Sequence, residues 1–167
     1  MRFLASMRRL APPRRRRSGI LYFEDFPIGE RREFGMRIVT EDEIMRFARD
    51  FDPQVFHVDK AAAEASFFGG IIASGWHTCS IAMRLICDGF LLDSASLGSP
   101  GVDEIRWKKP VRPGDSLTLF GTTTLAKPST SKPDRGVLTN AMELVNQHGD
   151  VVMTMKAMTM IGRRPAA

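Results

Sequence analysis

The sequence predicts an α+β fold, a curled and largely antiparallel sheet of about five strands wrapped around one long helix. Three observations carry that prediction. Residues from about Gly75 to Asp88 form a helical stretch that is apolar around much of its circumference, as a helix wrapped by a sheet should be. After Gly98-Ser99-Pro100-Gly101 the pattern changes to strands, with Ser116 to Leu125, Gly136 to Asn146 and Val151 to Ile161 as the long ones. Gln147-His148-Gly149-Asp150 separates the last two as a hairpin turn, which makes them antiparallel. The chain has 167 residues, 43% of them hydrophobic, enough for one domain with a real core.

Residues 1–19 stand apart. They hold seven arginines with neither lysine nor acid, so the formal net charge of +5 less these seven leaves −2 for the rest. Like charges repel, and Pro12 and Pro13 break helices, so this arm is expected to be disordered. It lacks the apolar stretch of a secretory signal; a mitochondrial transit peptide and a dispensable extension ahead of a later start, such as Met7, stay open. The mildly acidic body argues against specific nucleic-acid binding, and the arm offers only non-specific contact. No apolar run approaches the length of a membrane span.

The domain is expected over residues 20–162, with 163–167 as a flexible tail. Order should begin near Tyr22 to Phe26, turn at Pro27-Ile28-Gly29-Glu30, and run as a strand from Arg32 to Val39. Thr40-Glu41-Asp42-Glu43 is a capping box, in which the Thr40 hydroxyl accepts from the Glu43 amide and the Glu43 carboxylate reaches back. Ile44, Phe47, Ala48 and Phe51 recur at helical spacing and should face a core. Asp59 caps a short alanine-rich helix, Lys60 to Ser66, broken by Phe67-Phe68-Gly69-Gly70.

Past the long helix, Ile105-Arg106-Trp107 is a strand ending at Lys108-Lys109-Pro110, and Pro113-Gly114-Asp115 is a tight turn. Lys127 to Arg135 reads as a polar, mobile loop. Cys79 and Cys87 lie on one helix, roughly 12 Å apart at 1.5 Å rise per residue, too far for a disulfide. A reducing compartment, the cytoplasm, suits that pattern. An open sheet needs its edges covered, and a second copy is the natural cover, so a homodimer is expected.

The chemistry centres on Phe51-Asp52-Pro53-Gln54-Val55-Phe56-His57-Val58-Asp59. Proline pushes the residue before it out of the α region, so Asp52 should sit just past a helix end with His57 close by. An acid and an imidazole held together can grip one water and move protons at neutral pH. The plainer reading makes Asp52 a cap and His57 a structural histidine. The neighbours Phe47, Phe51, Val55 and Phe56 suggest a buried setting that would perturb both groups.

Gly69-Gly70-Ile71-Ile72-Ala73-Ser74-Gly75-Trp76-His77 runs from a glycine-rich loop into the long helix. Its unpaired N–H groups, backed by the helix dipole, suit an oxyanion, with Ser74 as the N-cap that positions the Gly75 amide. No Gly-Lys-Ser/Thr follows, and Ser74 lacks the Gly-x-Ser-x-Gly frame, so neither a phosphate loop nor a nucleophile elbow is indicated. His57-x-Asp59 offers too few ligands for a metal. His77 should pack and His148 belongs to a turn.

These segments resemble the MaoC-like dehydratase family, the R-specific enoyl-CoA hydratases of the hot-dog fold, over residues 20–162. Asp52-Pro53-Gln54-Val55-Phe56-His57-Val58-Asp59 is similar to the hydratase motif, Ile72-Ala73-Ser74-Gly75 to the start of the central helix, and Asp103 to Asp115 to the strand and turn that follow. Ser131-Lys132-Pro133-Asp134-Arg135-Gly136 fits the same group. One departure stands out. Many hydratases read Asp-x-Asn-Pro-x-His, whereas here proline follows Asp52 directly and Gln54 stands where their asparagine is.

The resemblance implies Asp52 and His57 as the catalytic pair and Ser74 and Gly75 on the oxyanion side. Phe56, Ile72, Ala73 and Trp76 become candidate substrate contacts. Arg106 and Lys108, like Lys109 and Arg112, are candidates for the CoA phosphates or simply solvated strand ends. The implied reaction is reversible hydration of a trans-2-enoyl-CoA to an (R)-3-hydroxyacyl-CoA by a dimer or higher oligomer, without metal or redox cofactor. An acyl-CoA thioesterase and a non-catalytic acyl-CoA-binding or regulatory protein are the alternatives.

Overall fold

The structure, a computed structural model, describes residues 19–165. The arginine-rich arm lies outside the described residues except for Gly19. In chain order the elements are a 3-10 turn Phe23–Asp25, β1 Arg31–Ile38, α1 Glu41–Phe51, α2 Val55–Val58, α3 Lys60–Ala65, α4 Gly75–Gly89, a 3-10 turn Leu91–Asp93, β2 Val102–Trp107, β3 Ser116–Pro128, β4 Arg135–Val145 and β5 Val151–Gly162. The strands form one antiparallel sheet in the order β1-β3-β4-β5-β2. Register shifts interrupt every strand pair and bend the sheet, and α4 lies across its inner face. This is the α+β architecture the sequence predicts.

The core is the interface between α4 and the sheet. Ile81, Ala82, Leu85 and Ile86 of α4 join Leu117 and Leu119 of β3, Leu138, Met142 and Leu144 of β4, and Val152 and Met153 of β5. The alternation along β3 and β4 puts one apolar row inward and leaves the other face to residues such as Thr118, Thr122 and Glu143. β3 runs on to Pro128, three residues beyond the expected end at Leu125. Ala126, Lys127 and Pro128 stay in register with Leu138, Val137 and Gly136, so the polar composition of this stretch yields to a partner strand that satisfies its backbone.

Four expectations need correction. Phe51 does not reach the core and is 72% exposed, because it is the last residue of α1, past the turn on which Ile44 and Ala48 are buried. The Thr40 hydroxyl accepts from the Glu43 amide at 3.2 Å, but the carboxylate does not reach back. Its Oε2 takes Arg37 Nη2 at 3.2 Å instead. The sheet covers one side of α4 only, and Trp76 (59% exposed) and Met83 stand on the outer side with the Arg84–Asp88 pair. The tail is tied at its start, since Arg163 and Arg164 bond Glu24 and Asp25.

Candidate active site

The site is assembled where α1 stops. Asp52 leaves the helical region at φ −154° and ψ 68°, although its N–H still closes on Ala48 O at 2.8 Å. Pro53 cannot continue the helix, and the Gln54 N–H turns back to Asp52 O at 2.8 Å. The Gln54 carbonyl then accepts from the His57 N–H at 2.8 Å and opens the single turn of α2. Six residues, Asp52 to His57, thus bring an acid and an imidazole to the same place.

His57 is buried, 4% exposed, and its Nδ1 lies 2.8 Å from Ile72 O. A carbonyl only accepts, so Nδ1 carries a proton and donates it to Ile72 O, which leaves Nε2 turned to Asp52. Nε2 stands 3.4 Å from Asp52 Oδ2. Phe56 packs edge-on to the imidazole at 4.5 Å and passes the contact to Phe68 at 5.0 Å, while Phe67 beyond it is fully exposed.

Asp52 is well supplied with donors. Gln54 Nε2 donates to Oδ1 at 2.8 Å, and the Ser74 hydroxyl bonds the carboxylate as well. Burial pushes this carboxyl up, yet those two hydrogen bonds and the neighbouring His57 outweigh it and hold the pKa below the ordinary aspartate value. The carboxylate is therefore ionised at neutral pH.

Ser74 also builds the start of α4. It is fully buried, its Oγ accepts from the Trp76 N–H at 3.2 Å, and its carbonyl accepts from Thr78 Oγ1 at 3.2 Å. The approach to it is pinned by Ile72 N–H to Phe56 O at 3.3 Å and Ala73 N–H to Val111 O at 2.8 Å. The Gly75 N–H has no acceptor among the described residues. It is an unpaired donor at the positive end of a fifteen-residue helix, one residue from the hydroxyl that holds Asp52.

The structure therefore brings Asp52, His57, Ser74 and Gly75 together, with Phe56 against the imidazole. Ala73 packs into the core and Ile72 is buried, and both contribute backbone to the site. Trp76 faces outward, its ring edge-on to Trp107 at 5.6 Å. Arg106 is not part of the site. Trp107 points to the helix side of β2, so Arg106 points to the opposite face, where it meets Glu104 at 3.6 Å. Lys108 is exposed beyond the strand and bonds none of the site residues.

Two residues escape the sequence reading of the site. Gln54 binds both members of the pair, and its position between them is the signal that could have marked it. Trp107 donates Nε1–H to Gly75 O at 2.9 Å across 32 positions of chain, a contact with no local signature. Among the described residues no three His, Cys, Asp or Glu side chains converge as a metal site, and no helix is long and apolar enough to cross a membrane.

With that geometry in view, comparison with known proteins gives three results. A family model described as MaoC like domain matches residues 25–141. The uncharacterized protein YdeM of Bacillus subtilis is 36% identical over 125 residues, 74% of this chain and 86% of that one. Among solved structures, a MaoC-like dehydratase from Rhodospirillum rubrum is 40% identical with a TM-score of 0.80, covering 87% of this chain and 99% of its own. A structure described as a monoamine oxidase regulatory protein from Archaeoglobus is 29% identical with a TM-score of 0.79, covering 88% and 97%.

Proposed function

The chain belongs to the MaoC-like domain family, and from that premise we propose that it is a hydro-lyase, adding water reversibly to a trans-2-enoyl-CoA to give an (R)-3-hydroxyacyl-CoA. One observation carries the reading. With Nδ1 donating to Ile72 O, His57 in its uncharged form turns the Nε2 lone pair toward Asp52 Oδ2, 3.4 Å away. In that form the two acceptors call for a donor beside them, within reach of both. A water supplies one hydrogen to each and keeps its oxygen lone pairs free for carbon.

In the forward direction that oxygen bonds the β-carbon. The π electrons move toward the α-carbon and the thioester oxygen, where the Gly75 N–H and the α4 dipole favour the enolate-like charge. The pair takes a proton from the water and returns one to the α-carbon. Atoms and charge balance, and hydration is redox-neutral, so the scheme calls for no redox cofactor. The base is assigned to the pair rather than to either residue alone.

The active species is proposed to be a homodimer. β2 has no neighbour on its outer edge among the described residues, and its Val102 and Trp107 are exposed, Trp107 beside the exposed Trp76 of α4. A second copy covers both the open ladder and this apolar strip. Cys79 and Cys87 are free thiols, which suits the cytoplasm.

A panel of enoyl-CoA thioesters, followed by ultraviolet loss of conjugation, tests the proposal, and the product's configuration tests the R assignment. Release of free thiol would instead mark a thioesterase. Binding without turnover, unchanged in Asp52→Asn and His57→Gln, would mark a non-catalytic acyl-CoA-binding protein. Sedimentation of the intact chain decides the dimer.

A further inference from the structure

Among the described residues, Gln54 is bonded to both members of the Asp52–His57 pair. Its side-chain Nε2 donates to Asp52 Oδ1 at 2.8 Å, and its backbone carbonyl accepts from the His57 N–H at 2.8 Å. Its own N–H closes on Asp52 O at 2.8 Å, which folds Asp52, Pro53 and Gln54 into one tight turn. A carboxylate has two equivalent oxygens and is free to rotate unless one is claimed. Here Gln54 claims Oδ1 and leaves Oδ2 to face Nε2.

We propose that Gln54 is the positioning residue of this site: its amide locks one oxygen of Asp52 so that the other alone faces His57, while its carbonyl fixes the turn that carries the imidazole. The inference rests on the hydratase reading for its kinetic consequences, but its structural content does not. Proline directly after Asp52 makes the arrangement possible, because it stiffens the turn that aims the Gln54 side chain back along the chain. A second consequence concerns the proton. A donor on the carboxylate favours its ionised form, so losing it makes Asp52 easier to protonate.

The experiment compares the full-length protein with Gln54→Leu, Gln54→Asn and Gln54→Glu by two readouts. Carboxyl-carbon NMR titration follows Asp52 itself and needs no turnover. Asp52 is expected to titrate higher in Gln54→Leu than in the parent, higher still in Gln54→Glu, where two carboxylates face each other, and nearest the parent in Gln54→Asn, whose shorter amide keeps a donor. In the enoyl-CoA assay, kcat/KM should fall about tenfold in Gln54→Leu, mainly through kcat, with its acidic limb moved toward neutrality.

An unaltered Asp52 titration in the leucine and glutamate variants overturns the proposal, as does a parent-like pH profile. If the leucine variant does not fold, the isosteric glutamate variant decides by the same titration. A parent that hydrates no enoyl thioester overturns the hydratase reading instead, and the titration still decides the role of Gln54.

Discussion

Trp107 fills the space that a side chain at Gly75 would need. A Cβ there would meet ring atom Cε2 at 2.5 Å and Cδ2 and Cζ2 at 2.9 Å. The same indole bonds the Gly75 carbonyl, so the sheet edge and the first turn of α4 are set against each other at this one contact. Gly75→Ala must displace either the ring or the helix end, and displacing the helix end carries the free amide off its aim. Overpacking of this kind costs about 1–3 kcal/mol of stability. A misplaced oxyanion donor costs about a hundredfold in turnover. Both tryptophans of the chain lie at this spot, so their fluorescence reports the displacement directly. Parent-like emission together with parent-like turnover would contradict the argument.

The facing acceptors of the pair make a second prediction. Asp52→Asn replaces one acceptor oxygen by a donor, and His57→Gln removes the ring nitrogen that faces Asp52. Each should lower kcat by about 10² to 10⁴, the range of a lost acid or base. The double variant should be little worse than the poorer single one, because both act on the same water. Steady-state rates of all three variants on one enoyl-CoA check this, and multiplicative losses would mean that the two groups act independently.

Ser74→Ala removes two bonds at once. The Trp76 amide loses its cap, worth about 1 kcal/mol at an N-cap position, and Asp52 loses a donor. In the parent the carboxyl sits below its ordinary value. It therefore stabilises the fold above the unfolded-state pKa, and that stability is lost as pH falls through the folded value. Without the Ser74 hydroxyl the folded pKa moves up. The acidic limb of kcat/KM should then shift toward neutral pH, and acid unfolding should begin at higher pH. Rate–pH and melting–pH curves of the two proteins measure both shifts.

What the sequence makes legible is the chemistry that is local in the chain. The closeness of Asp52 and His57 follows from Pro53 and one helical turn, and the Ser74 cap follows from the glycine-rich approach to an apolar stretch. Contacts set by tertiary register are not legible. Arg106 faces away from α4 because strand pairing decides parity, and a register shift between Val102 and Glu104 intervenes upstream. Trp107 reaches Gly75 only because β2 pairs with β5 at the sheet edge, which no periodicity announces. Phe51 shows the limit of a helical repeat, which gives the face of a residue and not whether anything lies opposite it.

His77 makes the last prediction. It is buried on α4, stacked on Phe47 at 4.8 Å and 15°, and its Nδ1 has no partner among the described residues. Burial lowers its pKa, and Glu43 opposes that shift while Arg37 and Arg46 add to it. The folded protein thus binds the His77 proton less readily than the unfolded chain does. Stability is fully present above the ordinary histidine value and is lost as pH falls from there toward the folded value. His77→Phe keeps the stacked ring, removes an unpaired nitrogen that costs about 1 kcal/mol or more when buried, and cannot be protonated. Its melting temperature should match or exceed that of the parent at pH 7, and the advantage should widen at pH 5. An equal loss of stability on acidification in both proteins would show that other groups carry the acid response and that His77 is solvated in the native state.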